Sequence, residues 1–186
     1  MNARDEDQFL TIKTLASWVT LDPSDEGITR TLRQLRHWTQ NDLLCTEGRK
    51  DTGKGIPRLY AEDPTFQIAA ILVELSRYVS ALDALKAAAE ALYTEWNDDG
   101  AVYFNTALTD MDAYIQVSWE TDPKKLVILN ARVQMFDMMD EAENRLDDQP
   151  SSSILINMTN VADRTYQNRR AYEKAKEGND EFDDGS

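Results

Sequence analysis

The stretch Arg30-Thr31-Leu32-Arg33-Gln34-Leu35-Arg36-His37-Trp38-Thr39-Gln40-Asn41-Asp42-Leu43-Leu44, continued through Gly48, Gly53 and Gly55 to Arg58-Leu59-Tyr60, decides how this chain is read. Between Arg30 and Tyr60 stand seven basic residues (Arg30, Arg33, Arg36, Arg49, Lys50, Lys54, Arg58) against three acids (Asp42, Glu47, Asp51), a local net charge of +4. The whole protein carries −14. Clustered like charges cost energy unless something anionic meets them. The first half of the stretch has helical spacing. The pattern predicts a helix from about Asp25 to Asn41, with Ser24 or Asp25 as N-cap. Ile28, Leu32 and Leu35 stack on one side, flanked by Trp38, and Arg30, Arg33, Gln34 and His37 fall on the other. An ordinary solvated helix face would mix signs, whereas no acid stands between Glu26 and Asp42. From Leu43 to Tyr60 the glycines and Pro57 predict a loop or small hairpin that carries Arg49, Lys50, Lys54 and Arg58.

Upstream, Leu10, Leu15, Trp18 and Val19 predict a short first helix over Phe9 to Val19, followed by a turn at Asp22-Pro23-Ser24-Asp25. Downstream, Pro64 is suited to a helix start. Ile68, Ile71, Leu75, Tyr78, Leu82, Leu85, Ala89, Leu92 and Trp96 then repeat at three-four spacing. That stripe predicts one long helix over residues 64–97, about 45 Å if unbroken, which pairs two chains or packs on the chain's own second half. Beyond it, Val102–Leu108, Ala113–Trp119 and Leu126–Leu129 predict an antiparallel meander with the last, wholly apolar run at its centre. In the second run Ile115, Val117 and Trp119 face one way and Gln116 and Ser118 the other. Arg132–Leu146 reads as a helix, Ile154–Met158 as a further strand, and Thr159–Lys176 as a last helix capped by Thr159 or Asn160.

The basic stretch resembles the winged helix-turn-helix of MerR-type regulators. In that family the recognition helix ends in a pattern Ile-Arg-Tyr-Tyr-Glu-x-x-Gly-Leu-Leu. Here Leu35-Arg36-His37-Trp38-Thr39-Gln40-Asn41-Asp42-Leu43-Leu44 has the same length and keeps Arg36, the aromatic Trp38 and the Leu43-Leu44 pair. The family's wing closes on Gly-x-Arg-x-Tyr. Here Gly55-Ile56-Pro57-Arg58-Leu59-Tyr60 keeps Arg58 and Tyr60 with one extra residue. Leu10-Thr11-Ile12-Lys13-Thr14-Leu15-Ala16 is similar to the family's opening segment. The resemblance covers about residues 9–75. Three departures stand out: the first turn is longer, Asp42 replaces a turn glycine, and no glycine interrupts residues 64–96.

The resemblance implies that Arg36 and His37 contact phosphate, that Trp38 packs, and that Arg58 and Tyr60 anchor the wing on the DNA backbone. The helical wheel adds Arg30, Arg33 and Gln34 as base-facing candidates, since Arg reads guanine edges and Gln adenine edges. Arg49, Lys50 and Lys54 on the loop would reach phosphate or a minor groove. The expected fold class is α+β. A winged helix-turn-helix spans residues 1–63 and a long dimerisation helix 64–97. An acidic small sheet with helices spans 98–176, and a disordered acidic tail 177–186. The expected partners are double-stranded DNA, a second copy of the chain through residues 68–96, and a small-molecule or protein effector at the acidic C-terminal half.

Composition bounds the other classes. The absence of any run near the roughly 18 apolar residues of a membrane span, and an acidic N-terminus without an apolar segment, point to a cytoplasmic protein. A single cysteine, Cys45, excludes an internal disulfide. With one histidine and one cysteine, both in the basic stretch, neither a nucleophilic pair nor a thiolate metal site is expected, and no Gly-rich phosphate loop follows a strand. No enzyme and no cofactor are therefore expected. Asn97-Asp98-Asp99 and Asp147-Asp148 read as solvated turns. Tyr103, Phe104, Tyr114 and Trp119 read as a sheet core, with an aromatic pocket for a cation as the alternative. Two other functions compete with regulation: a protein-interaction module that presents an acidic surface on a winged-helix scaffold, and an excisionase-like architectural factor that bends DNA.

Overall fold

The computed structural model of the chain describes residues 9–47, 57–96, 113–121, 128–136 and 152–180. The first helix is preceded by a strand. Strand β1 (Phe9–Thr11) pairs antiparallel with β2 (Leu59–Ala61), Leu10 opposite Tyr60, and helix α1 (Ile12–Val19) starts only after it. Thr11 sets that boundary, because its side chain accepts the amide of Thr14 and caps the helix. Helix α2 (Asp25–Gln40) begins where its sequence asks it to: Ser24 accepts the amide of Gly27, with Asp25 and Glu26 in the first turn facing the positive end of the helix dipole. A Cβ on Gly27 would lie 2.2 Å from the carbonyl oxygen of Asp22, so only glycine lets the turn close against the helix.

Helix α2 ends in a Schellman closure. The amide of Leu43 donates to the carbonyl of Trp38 at 3.0 Å and that of Asp42 to Thr39 at 3.4 Å. Asp42 occupies the left-handed position with φ 62°. This is where the resemblance places a turn glycine, and Asp is among the few other residues that adopt this conformation. The chain then runs to Glu47, whose amide donates to the carbonyl of Leu59 at 2.9 Å and forms a bridge beside β2. The intervening loop with Arg49, Lys50 and Lys54 lies outside the described residues.

The single long helix expected over residues 64–97 is two helices. A wide turn, Glu62–Phe66, with Asp63 in an extended conformation, leads into α3 (Gln67–Leu75). The chain leaves the helix at Ser76, whose hydroxyl donates back to the carbonyl of Val73 at 2.7 Å. It re-enters a helix at α4 (Leu82–Glu95) after an extended Ala81. All nine residues of α3 are buried, and all but Gln67 and Glu74 are apolar, as expected of a helix surrounded on every side. Ile68, Ile71, Leu75, Leu85, Ala89 and Leu92 are buried within the one chain. These residues pack within the chain, Leu82 and Trp96 are partly buried against the same core, and Tyr78, in the break between the two helices, is exposed.

The second half supplies a three-stranded antiparallel sheet of order β4-β3-β5, from β3 (Tyr114–Thr121), β4 (Ile128–Phe136) and β5 (Ser152–Asn157). Ile115, Val117 and Trp119 point into the core as the alternation requires. The centre is β3, not the Leu126–Leu129 run, because β3 alone has both neighbours. Ile128 and Leu129 open β4, which extends through Arg132 to Phe136, where a helix was expected, and which lies at an edge of the sheet among the described residues; Leu126 and Val127 lie outside them. Ala131 and Val133, one face of that strand, pack on the core, while Arg132 is exposed and pairs with Glu120 at 2.7 Å. A period of two is present there; the methionines and acids of the same stretch hide it behind a helical composition. Val102–Leu108 and residues 137–146 lie outside the described residues. Trp119 Nε1 donates to the carbonyl of Ala84 at 2.9 Å, so Trp119 is a core residue tied to α4; Tyr103 and Phe104 lie outside the described residues.

The last helix, α5 (Met158–Asp180), is capped by Asn157, whose side chain accepts the amide of Asn160 at 3.1 Å. Val161, Ala162 and Thr165 are buried. One buried cluster runs from Leu10 through α3 and α4 to Ala162, joining the chain's two ends in a common core.

Candidate nucleic-acid interface

Burial selects the outer face of α2. Its inner side holds Gly27, Thr31, Leu35, Trp38 and Thr39. Ile28 and Leu32 are only half-buried, so the inner face is turned toward Thr31 and Trp38 relative to the expected wheel. Thr29, Arg30, Arg33, Arg36, His37 and Gln40 are exposed. At about 100° per residue these six share roughly one third of the circumference. Arg36 thus joins the basic face, and Gln34 leaves it. The Gln34 amide donates to Ser76 Oγ at 3.1 Å and is committed to the break between α3 and α4.

The charges on that face are available to an outside partner. Arg30 meets Glu26 at 3.2 Å one turn earlier, with 71% and 86% of the two side chains exposed. A pair so wet is weak and gives way to a competing anion. Arg33 and Arg36 make no ion pair among the described residues. His37, in the last turn, has its ring 3.4 Å from the side-chain amide of Asn41.

Tyr60 departs from its expected role. It is fully buried, and its hydroxyl lies 2.9 Å from Thr39 Oγ1. Thr39 gives its own proton to the carbonyl of Leu35 at 2.8 Å, so Tyr60 is the donor between them. The residue fastens β2 to the last turns of α2, and its buried hydroxyl is not available at the surface. Burial pushes the Tyr60 phenol up, and Thr39, Arg58 and Arg36 pull against that rise. The Tyr60–Thr39 hydrogen bond sets the root of β2 beside the last turns of α2. Arg58 is half-buried at that root.

The placement of α2 depends on contacts the sequence does not display. Thr20, just past α1, donates to the carbonyl of Asp22 at 2.8 Å and accepts from Thr31 of α2 at 3.0 Å. Trp18 meets Phe66 edge-on, with ring centroids 5.5 Å apart. Asn168 of α5 donates to the carbonyls of Trp18 and Thr20, at 3.2 and 2.9 Å. The sole sequence signal for these partners is the spacing Val161, Thr165, Asn168, Tyr172, which puts them on one face of α5.

The chain matches no protein-family model, and no curated protein is significantly similar to it. Among the described residues no group of three or more His, Cys, Asp or Glu side chains could hold a metal ion, and no helix is long and apolar enough to cross a membrane.

Proposed function

We propose that this protein binds duplex DNA through the outer face of α2 and the basic wing rooted at Glu47 and Leu59, as a transcriptional regulator resembling the MerR type. The observation that carries the reading is the exposed row Arg30, Arg33, Arg36 and His37 on a capped helix whose back is buried, in a chain otherwise dominated by acids. Phosphate contacts from the guanidinium groups would fix the register, and Arg30 and Arg33 near the middle of the helix are the side chains suited to guanine edges. The excess acids elsewhere would favour approach by this one face. Pairing of two chains, expected from the spacing of residues 68–96, would have to use surface other than the members of that stripe buried within the chain.

The test is a binding titration with duplexes selected from a randomised library, repeated over a range of salt. Wild-type protein is expected to bind with a steep salt dependence. Arg36→Ala is expected to lower the slope by about 1, as loss of one phosphate contact does. Arg33→Ala is expected to cost about 1–3 kcal/mol and to relax the preference at one base pair. If neither substitution changes binding, the acidic surface becomes the functional one and the protein-interaction module is the better reading. Strong bending without sequence preference would instead favour the architectural factor.

A further inference from the structure

Helix α5 comes from the far end of the chain, yet it touches the segments on which the candidate interface is mounted: the end of α1, which leads into α2, and the residue that follows β2. Asn168 holds the carbonyls of Trp18 and Thr20 at the end of α1. Thr20 in turn accepts from Thr31 on the inner side of α2. The next residue, Arg169, lies with its guanidinium 4.3 Å over the Trp18 ring. It also pairs with Glu62, directly after β2, at 2.5 Å, and with Glu173 at 2.9 Å. One turn on, Tyr172 approaches Thr14 of α1 at 3.4 Å. These contacts are polar and directional. A packing helix would need only the buried row Val161, Ala162, Thr165, whose one hydroxyl is spent within the helix, whereas hydrogen bonds to two helix-end carbonyls fix an angle.

We propose that Asn168 and Arg169 are positioning residues for the DNA-binding face. Asn168 sets the turn between α1 and α2, Arg169 sets the exit of the wing strand, and together they hold helix and wing in the one relation a specific duplex requires. The proposal rests on the DNA-binding reading. A displaced recognition helix still meets phosphates, so non-specific attraction survives while base readout is lost.

The experiment measures Asn168→Ala and Arg169→Ala against two probes: the duplex that wild-type protein selects from a randomised library, and poly(dI-dC). Binding to the selected duplex is expected to fall about tenfold, the scale of one or two lost hydrogen bonds. Binding to poly(dI-dC) is expected to change less than about twofold, with an unaltered salt slope, because no phosphate contact is removed. Thr31→Val, which is nearly isosteric, removes the same relay from the α2 side and carries the test if Asn168→Ala does not fold. Equal discrimination by wild type and variants overturns the proposal and leaves DNA binding standing. So does a parallel loss on both probes, which reports a smaller folded fraction only. If wild-type protein selects no duplex, DNA binding and positioning fall together.

Discussion

Asp42 and Tyr93 show how much a single position can carry. Asp42 completes the end of α2 from the left-handed region, at φ 62°. A β-branched residue there meets its own backbone, so Asp42→Val is expected to destabilise the fold by about 1–2 kcal/mol, read from the urea midpoint. Tyr93 is half-buried between Cys45, whose amide it accepts at 3.1 Å, and Thr65, to which it donates at 3.4 Å. Burial chiefly pushes its phenol up to about 12 from the ordinary 10.0. The unfolded chain ionises this group before the folded one does. The stability tied to it is fully present below about pH 10 and is lost as pH rises toward 12. Tyr93→Phe is expected to flatten part of that alkaline decline in urea midpoints. Tyr60, also shifted upward by burial, supplies a second part that remains. Neither residue's partner is visible in the sequence, since Tyr93 and Cys45 are far apart along the chain.

At the scale of elements, α2 and the last helix were legible, and the division of residues 64–97 into α3 and α4 was not. Ser24, the acids behind it and the basic row are local signals that act within one or two turns, and the structure keeps them. The stripe from Ile68 to Trp96 is a weaker kind of signal, since its spacing says that a face must be covered without saying by what. A break at Ser76 folds it into α3 and α4, and the sheet covers it. Ile71→Ala, in the wholly buried α3, is expected to cost about 2–5 kcal/mol. That loss is expected to be the same at protein concentrations ten times apart, whereas loss at an interface between copies would depend on concentration. The same kind of error put a helix over Arg132–Leu146: alternation at Ala131 and Val133 is only a few residues long, and composition outweighed it.

Across the whole molecule, the decisive element is α5. Besides Asn168 and Arg169, it brings Arg164 to within 2.6 Å of Glu74 at the end of α3, where Arg77 also meets that carboxylate at 2.5 Å. Only 11% of the Glu74 side chain and 21% of Arg164 are exposed. Such a pair adds little over an apolar contact of the same shape, but removing one partner strands the other charge. Glu74→Ala is therefore expected to lose about 3 kcal/mol of unfolding free energy in urea titrations. The double substitution Glu74→Leu with Arg164→Leu is expected to recover most of it.

The sequence by itself determined the mixed α and β class, the capped basic helix, the inward row Ile115, Val117 and Trp119, and the unequal spread of charge. Each is written in neighbours a few residues apart, where backbone periodicity and capping chemistry act directly. Tertiary structure alone decided that Tyr60 and Gln34 are spent on internal hydrogen bonds, that the long stripe folds back on itself, and that the C-terminal helix returns to the turn between α1 and α2. Those outcomes depend on which distant surface satisfies an exposed apolar face or an unpaired polar group. A linear pattern records that such a need exists, and only the folded chain selects the partner.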